Sequence, residues 1–279
     1  MAQSGGRFGK DHEFYKPYED LHLSVGAFEG GQCVGAHEYY YKQRDSCSYR
    51  WQAVHRATGS DRALYGTVSP AFSSPAPATA ANYLRNRALT GAPGPVQTSQ
   101  AGRAYQVVQG QPFRTAFSPW SNNAHHLLAD AELQNGIIDA TGGFPVVEQM
   151  IVQGLLEKQY NVNLWKNMMI LPQEYDVGCR IQLPTHPAGD SHPSYSAKVK
   201  AGVDAALTPY KAVVEAVKKG DKTHPNPDPV DIKAALEALS MALHAGVVAL
   251  RPLVIAACGT NDQISINSFA SQVGTSIGV

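Results

Sequence analysis

The feature that most constrains this chain is a pair of adjacent histidines, His125 and His126, in the segment Trp120-Ser121-Asn122-Asn123-Ala124-His125-His126-Leu127-Leu128. On an extended backbone, neighbouring side chains point to opposite faces. One imidazole can therefore ligate a metal ion while the other faces a substrate. A second segment, Asn163-Leu164-Trp165-Lys166-Asn167-Met168-Met169-Ile170-Leu171-Pro172, reads as a turn into a short buried strand that Pro172 stops. A third, His186-Pro187-Ala188-Gly189-Asp190-Ser191-His192-Pro193-Ser194-Tyr195, leads into a helical pattern near Ser196. Asp190 or Ser191 suits the cap of that helix and Pro193 its first turn.

Metal-assisted hydrolysis needs a deprotonated water, charge neutralisation at the centre attacked, and help for the departing group. A neutral imidazole with a pKa near 6.5 accepts the proton at physiological pH, and a bound cation serves the other two needs. One histidine of the pair should stay off the metal, because a ligated imidazole has already committed its lone pair.

Taken in order, Ala-His-His, then Asn-x-x-x-Leu-Pro, then Ser-His-Pro-x-Tyr resembles the AHH nucleases, a family within the HNH and endonuclease VII superfamily. The resemblance spans about Trp120 to Leu207. It implies an α+β chain with a ββα-metal (His-Me finger) core, in which two strands and a helix clasp one divalent ion, Mg, Mn, Ni or Zn. By position, it makes His125 and His192 metal ligands, with His186 as a further ligand. It makes His126 the general base, and Asn167 the residue that holds the loop and orients that base. Two departures stand out: six positions separate His186 from His192, and Met168 stands where the family's Gly follows the Asn. The resemblance further implies a bacterial toxin or effector that cleaves DNA in preference to RNA and is neutralised by a cognate immunity protein.

The formal net charge is zero, which is unusual for a protein that holds a polyanion. Up to Gly110 the chain carries 11 Lys+Arg against 8 Asp+Glu, and thereafter 12 against 15. Phosphate contact must then come from a local patch, the metal or the N-terminal region. No stretch of about 18 consecutive apolar residues occurs, so membrane insertion is not expected. The start, Met1-Ala2-Gln3-Ser4-Gly5-Gly6, lacks signal-peptide character. The expectation is cytoplasmic synthesis, with any export independent of such a signal. Cys33, Cys47, Cys179 and Cys258 are too scattered for a zinc ribbon. Reduced thiols are expected, with a Cys33–Cys47 bridge as the oxidised alternative.

Three regions follow from the composition. Residues 1–66 are aromatic-rich, with Tyr39, Tyr40, Tyr41, Tyr49 and Trp51 among Lys42, Arg44, Arg50 and Arg56. They suit either a separate, partly β domain or a surface that stacks bases and holds phosphates. The spacing of His12, His22, His37 and His55 matches no ligand pattern. Residues 67–105 read as a Pro/Ala/Ser-rich linker or arm with a short helix over Ala78–Leu89. Residues 106–279 form the nuclease-like domain. Within it, Val146, Val147, Met150, Ile151, Leu155 and Leu156 make a bracing helix. A helix from about Ser196 to Lys219, kinked near Pro209, and a second opened by Asp228 or Pro229 form a C-terminal hairpin. Two rival readings stay open: a non-catalytic binding module that keeps the fold, and a zinc-dependent hydrolase of another substrate. The chain has no His-Glu-x-x-His motif, which argues against a metalloprotease.

Overall fold

Asn122–His126 (β1) and Met168–Pro172 (β2) pair antiparallel, with His125 opposite Met169 and His126 opposite Met168. The computed structural model describes residues 32–35, 40–65, 97–98, 104–105, 113–116, 122–186, 192–221, 223, 225–258 and 263–269. All five residues of β2 are buried, as a continuous apolar run stopped by proline predicts. Met168, at the turn into β2, has φ −114° and ψ 149°. That is ordinary extended backbone, so the position needs no glycine.

Among the described residues of the first 66, the regular elements are two helices, with a β-bridge from Cys33 to Asn161, and they are built into the same core. Ser48 caps Tyr49–Thr58 (α1) by accepting from the Trp51 amide at 3.3 Å, and Arg62–Tyr65 (α2) follows. The cap and the alanines at 53 and 57 outweigh the β-preference of the aromatics. The buried Arg50 reaches across to donate to Asn122 Oδ1 at 2.8 Å and to the Thr115 carbonyl at 3.1 Å. The Tyr65 hydroxyl donates to the Ile170 carbonyl at 2.8 Å. Arg56 pairs with Asp61 at 2.9 Å and donates to the Lys166 carbonyl at 2.6 Å, tying α1 to the turn before β2. An expected boundary after residue 66 therefore does not separate these helices from the strands. The predicted helix at 78–89 lies outside the described residues. Within 67–105 a two-residue ladder pairs Gln97–Thr98 with Ala104–Tyr105.

Asp130–Thr141 (α3) and Pro145–Glu157 (α4) fill the connection between the strands. Gly142 ends α3 in the left-handed conformation at φ 56°, which lets the chain turn sharply into α4. Tyr175–Ile181 (α5) follows β2, and Pro193–Ala206 (α6) starts with its proline in the first turn, as predicted. The expected caps Asp190 and Ser191 lie outside the described residues. A Cβ at Gly136 of α3 would meet Val203 Cγ1 at 2.4 Å, so glycine sets how closely α6 approaches. Tyr210–Lys218 (α7) begins just past Pro209, where the kink was expected.

Asp228 caps Pro229–Ala249 (α8), and Arg251–Ala257 (α9) continues it past a break at Leu250. This run is long and apolar enough, by length and composition alone, to cross a membrane. Its Ile232, Leu236, Leu239, Leu243 and Val247 are buried in the core.

Cys179 and Cys258 form a disulfide that joins α5 to the end of α9, whereas thiols were expected there; Cys33 and Cys47 are thiols outside any disulfide. Sequence reading missed the bridge because its partners are 79 residues apart. Closing such a loop in the unfolded chain stabilises the fold by roughly 4 kcal/mol in the chain-entropy model. Reduction is expected to lower the denaturation midpoint by a corresponding amount, and denaturant titration with and without reductant measures it.

Candidate metal centre

Three imidazoles from three segments converge. His125 comes from β1 and is 5% exposed. His186 is delivered where the chain returns to the end of β2, its amide donating to the Pro172 carbonyl at 2.7 Å. His192 is the residue immediately before α6. The ring centroids lie 5.0 Å (His125–His186), 5.5 Å (His125–His192) and 5.2 Å (His186–His192) apart. One ligand nitrogen from each lies within 4.8 Å of the others. The six-position spacing of His186 and His192 thus does not keep them apart.

The donor set fits a divalent ion. His125 Nε2 is buried and has no hydrogen-bond partner among the described residues. An orphaned buried polar atom costs about 1–3 kcal/mol, a cost that ligation would remove. Burial, and then the proximity of His186, His192 and His126, hold the His125 pKa well below the ordinary imidazole value. The ring is therefore neutral, with a lone pair to give. Three imidazoles suit zinc, nickel and similar transition ions better than magnesium, which prefers oxygen donors. Three protein ligands also leave coordination positions open, as catalytic sites require. The buried Tyr195 ring stands 5.4 Å from His125 and 5.6 Å from His192, backed by Phe269 at 5.3 Å. Its hydroxyl donates to the Leu127 carbonyl at 2.6 Å, tying α6 to the end of β1.

Scanned against family models, curated proteins and solved structures, the chain matches none.

His126, the next residue on β1, belongs to the other face of the strand. Its Nε2 lies 2.9 Å from Asn163 Oδ1, and the Tyr49 ring of α1 packs against it at 4.8 Å. Burial lowers its pKa, while Asp130 and the Asn163 hydrogen bond act in the opposite direction. The net shift is downward, which favours the neutral imidazole.

Asn167 has a different job from direct contact with either histidine. Its Oδ1 accepts from the Leu128 amide (2.6 Å) and the Ser240 hydroxyl (2.9 Å). Its Nδ2 donates to the carbonyls of Leu128 (2.9 Å) and Val162 (2.7 Å). The loop directly after His125-His126 is thereby clamped to the start of β2 and to α8. Asn167→Ala would leave several of these buried groups unsatisfied and is expected to cost about 4 kcal/mol of stability. Chemical denaturation measures this, and a loss under 1 kcal/mol would contradict the clamp.

Asn163 and Tyr195 were not singled out from the sequence as site residues. Asn163 had one signal, its place at the head of the turn that leads into β2. Tyr195 had another, its place one helical turn past His192. His55 lies apart from the cluster, its ring 6.2 Å from both Trp51 and Trp165. His12, His22 and His37 lie outside the described residues.

Proposed function

We propose that the chain is a metal-dependent endonuclease of the ββα-metal type, with His125, His186 and His192 as ligands and His126 as the general base. The observation that carries this reading is the pairing of a three-imidazole cluster, holding a buried unpartnered nitrogen, with a neutral fourth imidazole on the adjacent strand position. When bound, a divalent ion supplies Lewis-acid neutralisation of the phosphate and of the departing oxygen. His126 takes the proton from a water molecule as that water's oxygen attacks phosphorus. The P–O bond to the leaving nucleoside breaks, and its oxygen leaves as the alcohol after taking a proton from solvent, to which the His126 imidazolium then returns its own. Asn167 and Tyr195 both anchor the backbone that follows the two histidines, which keeps base and ligands in register.

Nucleic acid as the substrate is supported by the loop leading to α1. Tyr40 is 69% exposed, Lys42 and Arg44 are exposed beside it, and the Arg114 guanidinium lies 5.2 Å from the Tyr41 ring centroid. Ser48 pins this loop, accepting from the Lys42 amide at 3.1 Å and donating to the Tyr40 carbonyl at 2.6 Å. The next residue, Tyr49, touches His126. Stackable rings and Arg44 thus sit on the loop that leads to the base, with Lys42 paired to Asp45 at 2.9 Å. DNA in preference to RNA, a role as a secreted toxin or effector, and a cognate immunity protein rest on the family resemblance.

Plasmid nicking tests the proposal, with RNA cleavage run in parallel and Mg²⁺, Mn²⁺, Ni²⁺ or Zn²⁺ supplied to chelator-stripped protein. Cleavage restored by a transition ion is expected, and chelation should abolish it. Cleavage of neither nucleic acid under any of these ions would overturn it.

A further inference from the structure

We infer that Asn163 is the positioning residue for His126, fixing the base in the tautomer that carries its proton on Nε2 and leaves the lone pair on Nδ1. The inference rests on the endonuclease reading for its catalytic meaning. The geometry that carries it stands apart from that reading.

The orientation of the Asn163 amide is decided by its surroundings. Asn163 is fully buried, and its Nδ2 lies 3.2 Å from both the Gly35 carbonyl and Cys33 Sγ. A carbonyl oxygen only accepts, so the atom facing it must be the NH₂ group. Cys33 Sγ donates its own proton to the Gly35 carbonyl at 2.7 Å, which leaves the sulfur to accept from Asn163. Burial and the neighbouring Cys47 push the Cys33 pKa up, so the thiol keeps that proton. The Asn163 backbone is held too, its amide donating to Asn161 Oδ1 at 2.9 Å, while Asn161 Nδ2 donates to the Ser46 carbonyl at 2.9 Å.

With Nδ2 so committed, Oδ1 is the atom 2.9 Å from His126 Nε2. It can only accept, so Nε2 bears the hydrogen. A neutral imidazole has one N–H, and the lone pair therefore sits on Nδ1, which makes no hydrogen bond among the described residues. Asn167, the residue expected to orient the base, spends its four hydrogen bonds on the backbone and Ser240 instead. The two tasks are divided: Asn167 holds the loop, and Asn163 holds the ring.

The test reads the tautomer directly, by multiple-bond ¹⁵N correlation NMR of histidine-labelled full-length protein without substrate. Wild type is expected to show a pyrrole-like Nε2 and a pyridine-like Nδ1 at His126. An Nδ1–H tautomer, or averaged nitrogen shifts, in wild type would overturn the assignment without any variant. Asn163→Ala is expected to average the two nitrogens and to lower kcat on the order of 10²-fold, with metal content and KM unchanged. Asn163→Asp keeps the oxygen that faces His126 but sets a second oxygen against the Gly35 carbonyl, so it is expected to keep Nε2 protonated while lowering the melting temperature. An Asn163→Ala protein with wild-type tautomer and kcat would contradict the inference. Since the NMR arm needs no turnover, an inactive wild type overturns the endonuclease reading and leaves the tautomer to decide the role of Asn163.

Discussion

His192→Ala protein is expected to fold, yet to purify without a stoichiometric ion and to lose the ion-dependent part of its thermal stability. The side chain is only partly buried at the start of α6, and Pro193 still opens the helix, so little packing is lost. Ligation is lost instead. Removing merely the outer hydrogen-bond partner of a ligating imidazole costs roughly 10–100-fold in affinity, and losing the imidazole itself should exceed that. At free ion a hundredfold above Kd, wild type gains about 2.7 kcal/mol from binding. The variant should gain almost nothing under the same conditions. Elemental analysis and thermal melts with and without added zinc check both statements. His125→Ala is expected to bind no ion either, but to behave differently without it, since it removes the orphaned Nε2 along with the ring's packing.

His126→Ala is expected to do the reverse: to keep its ion and gain as much thermal stability from zinc as wild type does, yet to cut nucleic acid 10²–10⁴-fold more slowly, about the contribution of a positioned general base. The separation follows from strand geometry. His125 turns to the cluster while His126 turns to Asn163 and Tyr49. A variant that loses metal and cleavage together would mean that the two faces are not independent. One that cuts at the wild-type rate would remove His126 from the chemistry.

The second strand and the His192 helix were legible because their signals are local, an apolar run stopped by Pro172 and a proline at a helix start, whereas the first strand was placed through the His125-His126 pair. The convergence of His125, His186 and His192 depended on the order of motifs, which no single spacing reveals. Helix α1 was not legible, because Tyr49 and Trp51, following Tyr39, Tyr40 and Tyr41, suggest strand and only Ser48 marks the cap. Its integration into the core was hidden as well. Arg50 looks like a phosphate-binding cation in the sequence, and its buried bond to Asn122 exists only once residues 72 apart have met. The same holds for the Asn163–Cys33 contact, where two unremarkable polar residues lie 130 positions apart. Helix α3 was missed although Asp130 and Glu132 in its first turn and Gly142 past its end are ordinary stop and start signals.

Anomalous diffraction from crystals of the zinc-loaded protein tests the ligand set most directly. One zinc peak is predicted, about 2.0–2.1 Å from a nitrogen of each of His125, His186 and His192, with His126 outside the coordination shell. Zinc bound instead at Cys33 and Cys47, or a loaded protein with nothing between these three imidazoles, would contradict it.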